Sequence, residues 1–423
     1  MAKPKLLTEK RMEKPEAENH EVTATPQPLD IGEESEVILP NEYSSAYGED
    51  LSRTLNLDTW QTNDDLGGLY TRLEEEIKEA VHREDEMRAR IRKLVFPQLR
   101  NRLGAPPNSG VYQSTVQQIE RVHCGYLFNG AVEACDGNNI PHDTLPLTIV
   151  QIGVSLVSYS GNQSAWVHRL FRRDLRVGSS DPVDDTLNLL EHRRHRGGYD
   201  QESSRDRLTS LGRRGIMAYA ERAVLLKRSS APWRMGHGNP APYELLTGSG
   251  MVELVDLGLD ILNELILDHE RFVFVPSAPS DRMILTIGNA LRPMEYAIIE
   301  TLEDNLSRIA EGHYRGPWLR VKPKIDRFVK EAGPKIVKGV FRATPLGPAN
   351  MFYAHVDHAH EAAHIAIADS VLQEHRGFPM LITLADTVCG NVFGSDSLVP
   401  QVQLAYGDAG APFRYQTERQ TRH

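Results

Sequence analysis

Tyr126-Leu-Phe-Asn-Gly-Ala-Val-Glu-Ala-Cys-Asp-Gly-Asn-Asn, followed by Leu145-Pro-Leu-Thr-Ile-Val-Gln-Ile-Gly-Val-Ser-Leu-Val-Ser-Tyr159, is the stretch whose reading decides the fold. Both runs are rich in β-branched and aromatic residues and too short for long helices. A polar segment holding Gly137, Asn138, Asn139 and Pro141 separates them, so the pattern predicts two consecutive strands. Asp136 then closes the first strand. A carboxylate there, followed by a glycine that lets a backbone or a phosphate come close, is a place to hold a divalent cation. The same Asp-Gly pair also serves as a plain turn.

Downstream, an arginine-rich stretch covers 168–214, including Arg193, Arg194 and Arg196, with acids such as Asp174, Asp181 and Asp200 among the arginines. It reads as a phosphate-tracking surface or as a solvated loop balancing its own charge. A helix is expected from about Asp206 to Arg228. Its apolar stripe, Leu211, Met217, Ala220, Val224 and Leu225, contains Glu221 at four residues from both Met217 and Leu225, so a carboxylate sits on the inward face. That position is costly unless the acid is paired with an arginine or bound to a metal. Pro242 to Gly250 reads as a short strand ending in a glycine turn, Val252 to Leu267 as a helix, and Arg271 to Pro276 as a buried strand. Met283 to Ile287 reads as a further strand and Met294 to Ala310 as an amphipathic helix. Gly377 to Asp386 is an apolar run closed by a second aspartate. Strands alternating with helices predict an α/β layer structure with a mixed sheet.

Upstream, residues 1–65 are acidic, rich in Pro and Thr and short of apolar periodicity, and read as a flexible arm with one apolar patch, Val37-Ile-Leu-Pro40, of the kind that docks on partners. From Leu66 the apolar residues step by four and three through Tyr70, Leu73, Ile77, Ala80, Met87, Ile91 and Leu94, with Glu84 interrupting. A long amphipathic helix is expected in 66–104. Its near-heptad seam favours pairing with a second copy over packing on its own core, since Glu84 is easier to place near solvent at an interface. The main body is then 105–405, and a polar tail follows Tyr406.

The chain has 423 residues, 40% hydrophobic and 25% charged, with a formal net charge of −10, the composition of a globular protein with a large core. No window approaches the roughly 18 uninterrupted apolar residues of a membrane span, and the start lacks an apolar signal core. A cytoplasmic location is expected. Three cysteines, Cys124, Cys135 and Cys389, have no paired spacing, which argues against a disulfide framework or a cysteine zinc site.

Two constellations carry chemistry. His360-Glu-Ala-Ala-His364 matches the zinc motif in which helical i and i+4 imidazoles share a face and the glutamate polarises a bound water, although no third ligand segment is visible. The second is distributed: Asp136, Glu221 and Asp386, three acids from separated segments, the usual means of holding Mg²⁺ or Mn²⁺ for phosphodiester cleavage.

The order of these motifs resembles the NurA-type nucleases. Ala131-Val-Glu-Ala-Cys-Asp-Gly-Asn-Asn-Ile140 with Ile149 to Tyr159 is similar to the family's opening Val-Asp-Gly-Ser strand and partner strand. Met217-Ala-Tyr-Ala-Glu-Arg-Ala-Val-Leu-Leu is similar to its glutamate helix, and Glu244-Leu-Leu-Thr-Gly-Ser-Gly250 to its second Asp-Gly-Ser strand. Gly377-Phe-Pro-Met-Leu through Ala385-Asp386 resembles its C-terminal Gly-Tyr-Pro to Ala-His segment. The resemblance spans about 126–400. It implies an RNase H-like core and a homodimer that uses Mn²⁺ to cleave DNA ends and single strands, docked on a hexameric HerA-type ATPase translocase in DNA repair or antiphage defence. The ordered acids and the local basic charge point to Asp136 and Glu221 as the main ligands of Mn²⁺ or Mg²⁺, Asp386 as a supporting ligand, and Arg193, Arg194 and Arg196 as DNA contacts. Thr247 stands where the family has an aspartate, and Phe378 and Asp386 where it has tyrosine and histidine. Either Asp386, Glu244 or Glu253 restores the missing acid, or the site is weakened and depends on a partner. A zinc metalloprotease through His360, Glu361 and His364, or a non-catalytic adaptor, are the rival readings.

Overall fold

The protein is described by a computed structural model covering residues 40–60, 66–144, 147–172, 183, 187, 190, 207–279, 281–312 and 314–413. It divides at Leu66 into two units. In the first, the expected flexible arm holds two short helices, Pro40–Tyr47 and Leu51–Thr54. Tyr43 and Thr54 share a hydroxyl hydrogen bond of 2.8 Å, and Trp60 donates its indole N–H to the Thr54 carbonyl. The patch at Val37 lies outside the described residues, apart from Pro40.

The second unit is built on one nine-stranded sheet. Its strands are β1 (Gly110–Gln113), β2 (Val132–Asp143), β3 (Thr148–Val157), β4 (Gln163–Arg172), β5 (Trp233–His237), β6 (Phe272–Val275), β7 (Glu295–Thr301), β8 (Ile336–Arg342) and β9 (Asn350–His355). The order across the sheet is β1-β7-β8-β9-β6-β5-β2-β3-β4. β2, β3 and β4 form an antiparallel meander, and β5 and β6 join β2 in parallel. A meander of three strands, a helix (Arg207–Lys227) and two further parallel strands on the other side of the first is the RNase H-like core. The remaining four strands extend it through antiparallel pairs.

Period-two alternation along the strands feeds two cores. Cys135, Leu156 and Phe274 face the helices Arg207–Lys227, Val252–Asn263 and Lys322–Ala332. Ala134, Met235 and Val273 face the helices Val116–Val122, Ala359–Ser370 and Met380–Phe393. The sheet is therefore covered on both sides, which is why β6, Phe272-Val-Phe-Val275, is apolar at every position.

Several boundaries differ from expectation. β2 runs through the polar segment taken as a linker, so Asp136 lies inside the strand. β5 pairs with β2 only through Cys135. From Asp136 onward β2 pairs with β3 alone, so Asn138 and Asn139 are only part-buried and Pro141 sits where no second ladder needs its missing N–H. Residues 123–127 are helical rather than extended. Pro242–Gly250 is two helical turns, Tyr243–Leu246 and Gly248–Gly250, not a strand. Met283–Ile287 belongs to a helix, Arg282–Asn289, that Asp281 caps by accepting from the Ile284 N–H. Met294–Ala310 splits into β7 and a helix, Glu303–Ala310, because Glu295 to Ile299 is buried at every position instead of on one helical face. Where a polar tail was expected to begin, the helix Ser395–Asp408 continues past Tyr406, and Phe413 stacks on His142 and meets the Tyr406 ring.

The long helix is present as Leu66–Leu94, 29 residues. Leu69, Tyr70, Leu73, Ile77 and Val81 are exposed on it, and among its described side chains only Ile91 is buried. Its first four turns thus do not pack on the chain's own core. At its far end Arg92 forms a two-pronged ion pair with Glu295 of β7 (2.6 and 3.0 Å). No helix among the described residues is long and apolar enough to cross a membrane.

Candidate active site

Where β5 leaves β2, the sheet opens. The last parallel partners are Cys135 and Gly236, and the next residues are Asp136 and His237. This point lies at the carboxyl end of β5, where its parallel pairing with β2 stops, and at the strand where the chain order reverses, the position at which open α/β sheets bind ligands. Asp136 is buried. Its Oδ1 lies 3.3 Å from His237 Nδ1 and accepts the Gly137 N–H at 2.9 Å. His237 Nε2 is 2.8 Å from Ser277 Oγ, and the imidazole meets the Phe378 ring edge-on at 6.4 Å between centroids.

Glu221 enters from the opposite face. Gly137 makes room for it: a Cβ there would lie 2.9 Å from Glu221 Oε1 and 3.2 Å from the Gly153 carbonyl. The inward carboxylate expected from the helical stripe is real, and its cost is met by Arg222, whose Nη1 lies 2.6 Å from Glu221 Oε2. Arg222 is itself buried, donating to the carbonyls of Ala218, Asn239 and Pro240 and standing over the Phe274 ring. Burial lifts the Glu221 pKa to about 7, the Asp136 charge adding to the rise while Arg222 and His237 oppose it. The carboxyl is thus held far from its ordinary range by desolvation above all.

Asp386 lies in the helix Met380–Phe393, whose Ala385 and Cys389 carbonyls accept from Ser155 Oγ (2.6 Å) and Asn138 Nδ2 (3.2 Å). That helix is therefore fixed across β2 and β3 beside Asp136. Asp386 is exposed, and its pKa is raised by desolvation and then by the Asp136 charge. His237 is raised first by its hydrogen bond to Asp136, with the charges of Asp136, Glu221 and Asp386 adding. The Asp136 charge thus reaches both of the other acids named from sequence, and the structure adds two residues that sequence reading missed. His237 follows β5 after a run, Trp233-Arg-Met-Gly236, too short to stand out, and Arg222 looked like one more surface arginine.

The donor set, three carboxylates and an imidazole, suits a divalent cation. Two of the acids are held above their usual range by burial and mutual repulsion, the condition a bound cation relieves. Among the described residues no three His, Cys, Asp or Glu side chains are gathered as ligands of one ion: Asp136 is turned to His237 and Glu221 to Arg222.

Thr247 is not at this point. Its hydroxyl bonds the Tyr243 carbonyl at 2.8 Å. The adjoining Ser249 lies against Gly215, about 9 Å along the helix from Glu221 at 1.5 Å per residue. Glu244 and Glu253 sit in the first turns of the neighbouring helices. The residue at the end of the strand beside Asp136 is His237. The zinc motif also resolves differently: His360 Nδ1 is 2.8 Å from the Tyr296 hydroxyl, the His364 ring packs edge-on against Tyr296, and Glu361 accepts from the Tyr126 hydroxyl. All three are spent on packing, and burial lowers both imidazole pKa values. Arg193, Arg194 and Arg196 lie outside the described residues. Of the flanking arginines, Arg169 on β4 is held by Gln151 and Gln401.

No protein-family model and no curated protein matches the chain. Among solved structures it is similar to the NurA nuclease from Sulfolobus solfataricus, at 9% identity and a TM-score of 0.42, over 81% of this chain and 98% of that one. A NurA structure bound to dAMP and manganese is similar at 8% identity and a TM-score of 0.38, over 83% and 98%. Ciona intestinalis endonuclease V in complex with DNA aligns at 10% identity and a TM-score of 0.24, over 66% and 98%.

Proposed function

We propose that this protein is a metal-dependent DNA nuclease whose site is formed by Asp136, Glu221 and Asp386 with His237. One observation carries the proposal. In an RNase H-like core, Asp136 stands where β5 departs from β2, and its charge adds to the raised pKa of both Glu221 and Asp386, acids from two other segments. Asp136 and Glu221 would hold Mn²⁺ or Mg²⁺, with Asp386 supporting them from the rim. When bound, the cation supplies Lewis acidity to a phosphodiester and acidifies a water. Arg222 fixes the Glu221 carboxylate and offsets part of its desolvation. Gly137 keeps the approach to Glu221 open. The Arg193, Arg194 and Arg196 cluster is assigned to the DNA backbone, where arginine forks suit phosphates.

The exposed apolar face of Leu66–Leu94 supports a homodimer: Tyr70, Leu73 and Ile77 follow a seven-residue seam that its own chain leaves open. Following the family resemblance, the partner assigned is a HerA-type ATPase, in DNA end processing or antiphage defence.

The test is cleavage of linear double- and single-stranded DNA with Mn²⁺ by the wild type and by Asp136→Ala, with and without a HerA-type ATPase. Cleavage that vanishes in Asp136→Ala supports the assignment. Cleavage that survives in a clean preparation refutes it, and a bound ATPase without any cleavage favours the adaptor reading.

A further inference from the structure

Beside the acids stands an arginine that the fold mounts firmly and leaves unbonded. Arg376 lies in the turn between the helices Ala359–Ser370 and Met380–Phe393, just before Gly377 and the Phe378 ring that meets His237. The backbone N–H groups of Arg376 and Gly377 donate to the Gln373 carbonyl at 3.1 and 2.7 Å. Gln373 Nε2 in turn donates to the Phe378 carbonyl (3.1 Å) and to Thr383 Oγ1 (3.0 Å). Thr344 Oγ1 donates to the Glu374 carbonyl at 2.6 Å, and Asn350 Nδ2 to the Gly377 carbonyl at 2.7 Å. Gly377 has φ of +55° and packs so closely on Gly347 that a Cβ there would lie 3.1 Å from the Gly347 Cα.

The Arg376 side chain is exposed and, among the described residues, its guanidinium has neither an ion pair nor a hydrogen bond. Its charge still reaches Asp386, where it opposes the rise in pKa caused by burial and by Asp136. An arginine kept only to offset an acid is bonded to it, as Arg222 is to Glu221. Arg376 instead has a fixed base, a free head and a permanent positive charge at the rim of a site whose acids repel a polyanion. Free guanidinium N–H groups in their planar fork take phosphate oxygens in pairs.

We infer that Arg376 is a substrate-binding residue that grips the non-bridging oxygens of one phosphate of the DNA strand entering this site. The inference rests on the nuclease reading and adds the contact by which an acidic site accepts a polyanion.

The experiment compares Mn²⁺-dependent cleavage of short single-stranded DNA by wild type, Arg376→Gln, Arg376→Lys and Asp136→Ala. The substrates carry an uncharged methylphosphonate in place of one phosphate at a time. Arg376→Gln is expected to lower kcat/KM about tenfold or more, the loss of one charge-assisted contact, and Arg376→Lys to recover part of it. One methylphosphonate position should slow the wild type by a similar factor but Arg376→Gln by less than about twofold, because the contact is already gone. A purely structural arginine predicts that every position costs both proteins alike. That result, or an Arg376→Gln protein as active as the wild type, overturns the inference and leaves the nuclease reading standing where cleavage still depends on Asp136. No cleavage by the wild type, or cleavage that Asp136→Ala retains, overturns both.

Discussion

Glu221 makes the fold's stability depend on pH in the sense opposite to most carboxylates. Its pKa stands at about 7 against an ordinary 4.5, so between those values the folded state binds more protons than the unfolded one. Stability therefore falls as pH rises through this window, and the loss is complete above about 7. At about 1.4 kcal/mol per pH unit, the interval from 4.5 to about 7 amounts to about 3 kcal/mol. Glu221→Gln removes the titration while leaving Arg222 its three backbone carbonyls. Urea unfolding of both proteins in EDTA at pH 5, 6, 7 and 8 isolates the effect, because every other titrating group is shared. The stability of Glu221→Gln relative to wild type should rise by about 3 kcal/mol across the series. Mn²⁺ at a hundredfold excess over its Kd should then return about 2.7 kcal/mol to the wild type at pH 8 and far less to the variant. A wild-type to variant difference that stays constant with pH would refute the claim that desolvation governs this carboxylate. A constant difference together with normal Mn²⁺ rescue would mean that water reaches Glu221 freely.

Four further outcomes are expected. Gly137→Ala places a methyl 2.9 Å from Glu221 Oε1 and against the Gly153 carbonyl; calorimetry should show Mn²⁺ binding weakened severalfold, with overpacking costing about 1 to 3 kcal/mol, and unchanged affinity would mean that Glu221 is not a ligand. Leu73→Glu with Ile77→Glu, both exposed in the chain by itself, should convert a dimer to a monomer in sedimentation velocity without lowering Tm, and a dimer that persists places the interface elsewhere. Neutralising Arg193, Arg194 and Arg196 to Gln should flatten the log–log salt dependence of DNA binding by about two to three; an identical slope returns these arginines to a solvated loop. His360→Ala should lose the Tyr296 bond at about 1 kcal/mol and leave bound-metal content, read by mass spectrometry, as in wild type, whereas loss of one zinc per chain would revive the protease reading.

The long helix, the Glu221 stripe and the buried strand at Phe272 were legible because each carries its own periodicity over enough residues to outvote noise. Met283–Ile287 and Met294–Ala310 were not. Five apolar residues fit a strand or a helix equally, and what decided between them was the Asp281 cap in one case and burial of both faces of Glu295 to Ile299 in the other. The extent of β2 was hidden for a different reason. Gly137, Asn138, Asn139 and Pro141 are turn formers by local preference, and they stand in a strand because β3 supplies a ladder along the whole of it, Asn138 opposite Gly153 and Pro141 opposite Val150. Tertiary pairing overrode propensity there, as it commonly does in sheets.

The same distinction separates the placing of Asp136 and Glu221 from that of Thr247. Asp136 and Glu221 could be located from sequence because each is bound to a long element, a strand and a helix, whose period fixes where a side chain points. Thr247 was assigned by likeness of a short Thr-Gly-Ser run, and such a run owes its glycines to tight turns as readily as to a site. Here Gly248 and Gly250 have φ of +59° and +89°, and the run closes two helical turns. The register of β5 on β2 carries the information instead: Ala134 pairs with Met235 and Cys135 with Gly236, so the residue next to Asp136 across the opening cleft has to be His237. The chain therefore does not lack a group at that strand end. It carries an imidazole there, that of His237, 3.3 Å from Asp136 Oδ1.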